Sequence, residues 1–232
     1  MKLSGTLEIT EWHTPATDYP ESEVGNFRIH HIKQSRGYYN HWGLDGYLFL
    51  KVKKPIPITN LQEKRNGKWQ YWMVDDPPQQ RAMEIYAAHA HGRVLVAGLG
   101  LGLILHELAK NPRVNSVVVL EKSPEVMELM LSNIQYLFEP KKGEPLFVVT
   151  NEDFYEFIEN DTGGWDTIIV DLWVSNSADE KMRIFYQEIL PLHFMLSQKY
   201  PASEITYHGF QTVSAIKPVS EEMVELVSEI NS

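Results

Sequence analysis

The chain has 232 residues, 43% of them hydrophobic and 22% charged, a globular composition long enough to bury a core without covalent staples. It has no cysteine, which excludes disulfides, thiolate metal sites and a cysteine nucleophile. The formal net charge of −10 is unevenly placed: residues 1–92 carry 11 Lys and Arg against 10 Asp and Glu, and residues 93–232 carry 10 against 21. Such an acidic second part repels a phosphate backbone and argues against nucleic acid as a partner.

Met1–Thr6 lacks the apolar run of a signal peptide, and the longest apolar stretch, Val94–Leu105, is glycine-rich and too short to cross a bilayer. The expectation is a cytoplasmic protein without a membrane partner. Residues 1 to about 80 are aromatic and strand-like. Gly46–Lys53 reads as a strand that stops at Pro55 and Pro57. Asn66-Gly67 supplies the positive φ angles of a type I′ turn, which predicts a hairpin leading into Trp69–Val74. Lys51, Lys53, Lys54, Lys64, Arg65 and Lys68 fall near Tyr47, Phe49, Trp69 and Trp72. They form an RNA-facing patch or, as we favour, a solvated edge defended by lysines.

The pattern changes at Asp75-Asp76-Pro77-Pro78, where the acids either shape an acceptor pocket or cap a helix. The prolines open a helix over Gln79–His91, with Ala82, Ile85, Tyr86 and His89 on one side. Strands and helices then alternate: strand Arg93–Ala97, helix Leu103–Lys110, strand Ser116–Leu120, helix Pro124–Tyr136, strand Leu146–Thr150 and helix Phe154–Glu159. Strand Thr167–Val170, helix Ala178–Lys199, strand Glu204–Ile216 and helix Glu221–Ile230 follow. Continuous apolar runs such as Val117-Val118-Val119-Leu120 mark strands covered on both faces. The fold class is α/β: a Rossmann-like, doubly wound, mostly parallel sheet over residues 77–232, preceded by a small β-rich subdomain over residues 1–76.

In such a sheet a ligand lies beyond the carboxyl ends of the strands. After the first core strand comes Gly98-Leu99-Gly100-Leu101-Gly102. Glycines there let the backbone turn sharply and let a ligand approach the main chain; the alternative is a tight turn without a ligand. The dinucleotide fingerprint needs glycine where Leu103 stands. After the second strand, Glu121 can accept both ribose hydroxyls of an adenosine ligand, a geometry that NAD would share. After the third, in Asn151-Glu152-Asp153, Asp153 serves the adenine amino group, the N-cap of the next helix, or both. After the fourth, Asp171 faces the reacting end, where an acid can orient a nucleophile and take its proton while Trp173 walls the pocket. The alternative is a capping acid beside a core tryptophan.

Val94–Gly102, then Val118–Val126 with Glu121-Lys122, then Asp153-Phe154 and Asp166–Asp171 follow in an order that resembles the class I S-adenosylmethionine-dependent methyltransferases, and within them the spermidine synthase-like group. Gln70, five residues before Asp75-Asp76, resembles the glutamine with which aminopropyltransferases touch the nucleoside. The resemblance implies S-adenosylmethionine or its decarboxylated form as cofactor. It places Gln70, Gly98, Leu99, Gly100, Gly102, Glu121, Lys122, Asn151, Asp153 and Asp171 around that cofactor, with Asp171 and Trp173 at the catalytic end. It also implies an N-terminal part that mediates oligomerisation, as in a homodimer, or binds the acceptor.

Two departures bear on the reaction. Aminopropyltransferases carry an aspartate where Leu101 stands, and a second one before a proline where this chain has Asp171-Leu172-Trp173. Both losses remove carboxylates that would hold cationic amines. The expectation is therefore methyl transfer to an unidentified small-molecule or protein acceptor. Aminopropyl transfer and nucleoside binding without catalysis are the alternatives. The C-terminus reads as shortened, with one strand after Asp171 where a complete methyltransferase sheet has three. His30, His31 and His41 suggest a metal site, but adjacent residues of a strand point to opposite faces, so no metal is expected.

Overall fold

The structure is a computed structural model that describes residues 3–43, 46–139, 145–174 and 178–210. The first stretch is all β. Strands β1 (Leu3–Ile9), β4 (Gly37–Gly43) and β5 (Gly46–Val52) form a three-stranded sheet in the order β1-β5-β4. Strands β2 (Ser22–Val24), β3 (Phe27–Gln34), β6 (Ile56–Arg65) and β7 (Lys68–Val74) form a four-stranded antiparallel sheet in the order β2-β3-β6-β7. Asn66 at φ 52° and Gly67 at φ 74° make the β6–β7 hairpin turn, the geometry expected of Asn-Gly.

The α/β core follows: α1 (Pro77–His89), β8 (Gly92–Ala97), α2 (Leu103–Leu108), β9 (Val114–Leu120), α3 (Pro124–Ile134), β10 (Leu146–Thr150), α4 (Phe154–Asn160), β11 (Thr167–Val170), α5 (Ala178–Ile184), α6 (Leu190–Lys199) and β12 (Glu204–Tyr207). Its five strands are all parallel, in the order β10-β9-β8-β11-β12. The chain winds outward from β8 through β9 to β10, then returns to the other side of β8 for β11. The topological switch point therefore lies between β8 and β11, where open α/β sheets bind ligands.

Residue parity explains why these runs form central strands. Val94, Val96, Val117, Val119 and Ile169 pack on one face with residues of α1, α2 and α3. Leu95, Ala97, Leu120, Ile168, Val170 and Ile205 pack on the other with residues of α4 and α6. The central strands β8, β9 and β11 thus each feed two cores, which only a continuous apolar run can do. The four-stranded sheet adds Ile29 and Leu61 to the first core, with Phe27, Trp72 and Met73 packed against it. Side-chain caps open α1, α3 and α4: Asp76 accepts the Gln79 amide at 2.9 Å, Ser123 the Val126 amide at 3.2 Å, and Asp153 the Tyr155 amide at 2.8 Å.

Several elements depart from expectation, each for a local reason. Pro57 does not end a strand; it sits in β6 opposite Lys33. The β7 partner begins only at Asn60, so no ladder bond needs the missing proline N–H. The buried stripe of α1 runs through Gln80, Met83, Tyr86 and Ala87, whereas His89 is exposed. Residues 178–199 are not one α-helix: a π turn over Phe185–Ile189 separates α5 from α6. Pro191 lacks the N–H that would bond Gln187, and the wider turn accommodates that loss. Strand β12 stops at Tyr207, two residues before Gly209 at φ 76°. The remainder of the expected strand and the helix over Glu221–Ile230 lie outside the described residues.

The residues of the basic patch divide between the two sheets. Lys51 and Lys53 belong to the three-stranded sheet or its edge and both pair with Glu8, at 3.0 and 2.9 Å. Lys64 stacks on Trp69 in the other sheet, with the Arg28 guanidinium 4.3 Å from the same ring.

Candidate functional site at the strand ends

A cleft of about 600 Å³ opens beyond the carboxyl ends of the parallel strands. Every strand of the sheet except β10 reaches it with the residue that follows or ends it, and β10 contributes through its loop. Glu121 follows β9, Gly98 and Gly100 follow β8, Asp171 and Trp173 follow β11, His208 follows β12, and Glu152 and Asp153 follow β10. The roof comes from the other sheet, where β7 contributes Tyr71, Trp72, Met73 and Val74. In the register, Tyr71 faces Gln62 and Met73 faces Leu61, so Trp72 is the extra residue of a β-bulge. Bulges re-aim side chains beside binding sites.

Glu121 is held in the cleft by main-chain amides. Its Oε2 accepts the Leu99 amide at 2.9 Å and its Oε1 the Ser123 amide at 2.8 Å. Burial pushes its carboxyl above the ordinary value, and those amides pull it back. The Lys122 and Gly100 amides also pull on this carboxylate, so a ribose diol accepted there would share its oxygens with main-chain donors. Asp153 caps α4 through Oδ1 and pairs through Oδ2 with Lys122 Nζ at 2.7 Å, which lowers its carboxyl.

The three glycines of the turn are filled from the protein side. A Cβ on Gly98 would stand 2.4 Å from the Asp171 carbonyl oxygen, and one on Gly102 3.0 Å from Ile134 Cγ2. A Cβ on Gly100 would stand 2.3 Å from Met73 Sδ, and the Leu101 amide lies 3.2 Å from the same sulfur. The positive φ angles of 94°, 51° and 68° also require glycine. Leu101 is fully buried in the first core, outside the cleft lining.

The far end of the cleft is aromatic. Trp173 lies near Phe210, edge to face at 6.2 Å, and donates its indole N–H to Glu188 Oε2 at 2.6 Å. Glu188 sits in the π turn, so that irregularity orients the tryptophan. Tyr155 and Tyr71 rim the opening at 41% and 58% exposure, the large apolar surface a flat ligand needs.

Of the residues nominated from sequence, Gly98, Gly100, Glu121, Lys122, Asp153, Asp171 and Trp173 meet in this cleft. Gln70 is exposed on β7 opposite Glu63 and does not line it. Leu99, Gly102 and Asn151 also lie outside the lining. Asn151 instead ties the loop, donating to the Glu121 and Lys122 carbonyls at 2.8 and 3.0 Å. Asp76 is the α1 cap and Asp75 is a buried fastener, so neither lines the cleft. His30 pairs with Glu21, and the His31 ring bonds the Tyr19 carbonyl. Sequence reading missed His208. Its amide donates to the Val170 carbonyl at 2.8 Å, which sets it beside Asp171 on the neighbouring strand end, and its Nδ1 is buried without a hydrogen-bond partner among the described residues. Gly209 marked that strand end in the sequence, but the apolar pattern beyond it hid the boundary.

No family model matches the chain. Among solved structures the chain is similar to the ribosomal protein L11 methylase of Lactobacillus delbrueckii subsp. bulgaricus, at 15% identity over 68% of this chain and 70% of that one, with a TM-score of 0.38. It is similar to the spermidine synthase of Thermotoga maritima at 15% identity over 60% and 55%, TM-score 0.33. A dimethyladenosine transferase from Plasmodium falciparum matches at 17% identity over 49% and 38%, TM-score 0.31. The chain thus spans about half or less of the length of the latter two. The strand order of the sheet itself makes the core of the chain Rossmann-like α/β.

Proposed function

We propose that the chain binds S-adenosylmethionine in the strand-end cleft and directs its methyl group to a small-molecule or protein acceptor. The observation that carries this reading is the sequence of groups across one cleft: Asp153, Glu121, the glycine turn, Asp171 and His208, in strand order. The cofactor supplies an electrophilic methyl on a sulfonium, and the chain's contribution is to bind, orient and exclude water.

The residues present fit such a ligand. The Glu121 carboxylate is placed to accept the ribose hydroxyls, and Phe154 and Tyr155 give an aromatic wall for the base. From Glu121 the ligand then extends across the end of β8 toward Asp171. There Asp171 and His208 hold or take a proton of the acceptor, and Trp173, fixed by Glu188, closes the apolar side. The part of β7 that roofs the cleft supports reading residues 1–76 as the acceptor-side subdomain.

Aminopropyl transfer from decarboxylated S-adenosylmethionine is the second reading. It is favoured by the four carboxylates in the lining, Glu121, Glu152, Asp153 and Asp171, against two lysines, Lys122 and Lys181, among the described lining residues. Calorimetry of the full chain with S-adenosylmethionine, its decarboxylated form and NAD tests the assignment. Binding of a sulfonium nucleoside and not of NAD is expected; failure of both sulfonium ligands to bind contradicts it. Release of methylthioadenosine from the decarboxylated form and putrescine would select the second reading.

A further inference from the structure

The three glycines differ in what fills the space beside them. At Gly98 it is main chain, the Asp171 carbonyl, and at Gly102 it is the core residue Ile134. At Gly100 it is the end of a flexible side chain, the Met73 thioether, which also lies against the Leu101 amide at 3.2 Å. Met73 directly follows the bulged Trp72 of β7, and it lines the cleft together with Gly100. The bulge, the glycine and the sulfur thus form one arrangement, in which the thioether covers a backbone donor at the floor of the cleft.

Resting on the adenosyl reading, we propose that Met73 is a displaceable cover on the glycine turn and a specificity-determining residue for the ligand's tail. A nucleoside held at Glu121 at the end of β9 reaches the Asp171 side only across the end of β8, beneath Met73. A ligand that ends at a methyl thioether fits with the cover in place. A ligand with an amino-acid tail must move the sulfur aside, and its carboxylate then takes the Leu101 amide that the sulfur leaves. A thioether is a weak acceptor on three rotatable bonds, so it suits a contact that is made and broken.

The test compares S-adenosylhomocysteine, which has the tail, with 5′-methylthioadenosine, which lacks it. In wild-type chain labelled at its methionine methyl groups, S-adenosylhomocysteine shifts the Met73 resonance and methylthioadenosine leaves it in place, the resonance being assigned by its loss in Met73→Leu. In calorimetry, Met73→Ala tightens S-adenosylhomocysteine by about fivefold, the scale of one modest hydrogen bond, relative to methylthioadenosine. A Met73 resonance that ignores bound S-adenosylhomocysteine overturns the proposal. So does an unchanged affinity ratio in a Met73→Ala chain with an intact thermal melt. If neither nucleoside binds the wild-type chain, the adenosyl reading falls as well, and the two failures are thereby told apart.

Discussion

Glu121 Oε2 accepts the Leu99 amide at 2.9 Å, so the acid at the end of β9 holds the glycine turn at the end of β8. The same carboxylate accepts the Ser123 amide and so also shapes the entry to α3. Binding and architecture are joined in one side chain. Glu121→Gln puts an amide NH₂ against one of two backbone donors and is expected to lower stability by about 1–2 kcal/mol. Glu121→Ala additionally removes the ribose acceptor and should weaken adenosyl-ligand binding about tenfold or more. Thermal melts and calorimetry on both variants separate the two effects.

His106 lies buried behind the glycine turn, with Nε2 2.7 Å from the Tyr19 hydroxyl and Nδ1 bonded to the Tyr136 hydroxyl. Tyr19 also donates to the Leu101 carbonyl at 3.3 Å, so it accepts from His106 Nε2–H, and Nδ1 accepts from Tyr136. Burial lowers the His106 pKa from 6.5 to about 4. Between those values the unfolded chain holds the extra proton and the folded chain does not, so stability rises with pH across the window. Lowering the pH from 7 to 4 should remove up to about 3 kcal/mol through this group. Denaturant unfolding as a function of pH checks the slope, and His106→Gln should flatten it.

Asp75 is fully buried and takes the Thr59 amide at 2.6 Å and the Thr14 hydroxyl, while its carbonyl accepts the Trp12 indole N–H at 3.0 Å. It fastens the N-terminal turn to β6 at the point where β7 gives way to α1. Asp75→Ala strands a buried amide and a buried hydroxyl and should cost about 3 kcal/mol. Asp75→Asn keeps an acceptor for Thr59, and the Thr14 hydroxyl can turn to accept, so its cost should be nearer about 1 kcal/mol. Urea midpoints measure the difference.

Gly98 and Gly100 should respond differently to alanine. Gly98→Ala drives a methyl into main chain at φ 94°, with no side chain that can yield, and should prevent folding or cost several kcal/mol, on the order of a core disruption. Gly100→Ala meets only the Met73 sulfur at φ 51°. In a Met73→Ala background its cost should fall to about 1–2 kcal/mol, the left-handed backbone alone. A double-mutant cycle by thermal denaturation reads the coupling.

The sheet was legible because two-faced burial forces continuous apolar runs, as in Val94–Ala97 and Val117–Leu120, and because Asn66-Gly67, Pro124 and Asp153 punctuate their elements by local chemistry. Strand ends located Glu121, Asp153 and Asp171 for the same reason. Met73 was not legible: its role depends on a bulge at Trp72 and on a loop 28 residues away, and neither leaves a local signature. Gln70 was placed by spacing to Asp75, but β7 lines the cleft only from Tyr71 onward, and Gln70 lies before that stretch, exposed opposite Glu63. The glycines were read as a sharp turn that a ligand could approach; the positive φ angles make that turn, and the packing of Asp171, Met73 and Ile134 beside the three Cα atoms is a fact of tertiary structure that the sequence does not carry.

The most direct test of the account is a crystal structure of the full chain with S-adenosylhomocysteine. The account predicts the ribose hydroxyls on the Glu121 carboxylate, with its bonds to Leu99 and Ser123 intact, and the homocysteine sulfur between Gly98 and Asp171. A nucleoside bound elsewhere, or a cleft that stays empty at saturating ligand, would contradict it.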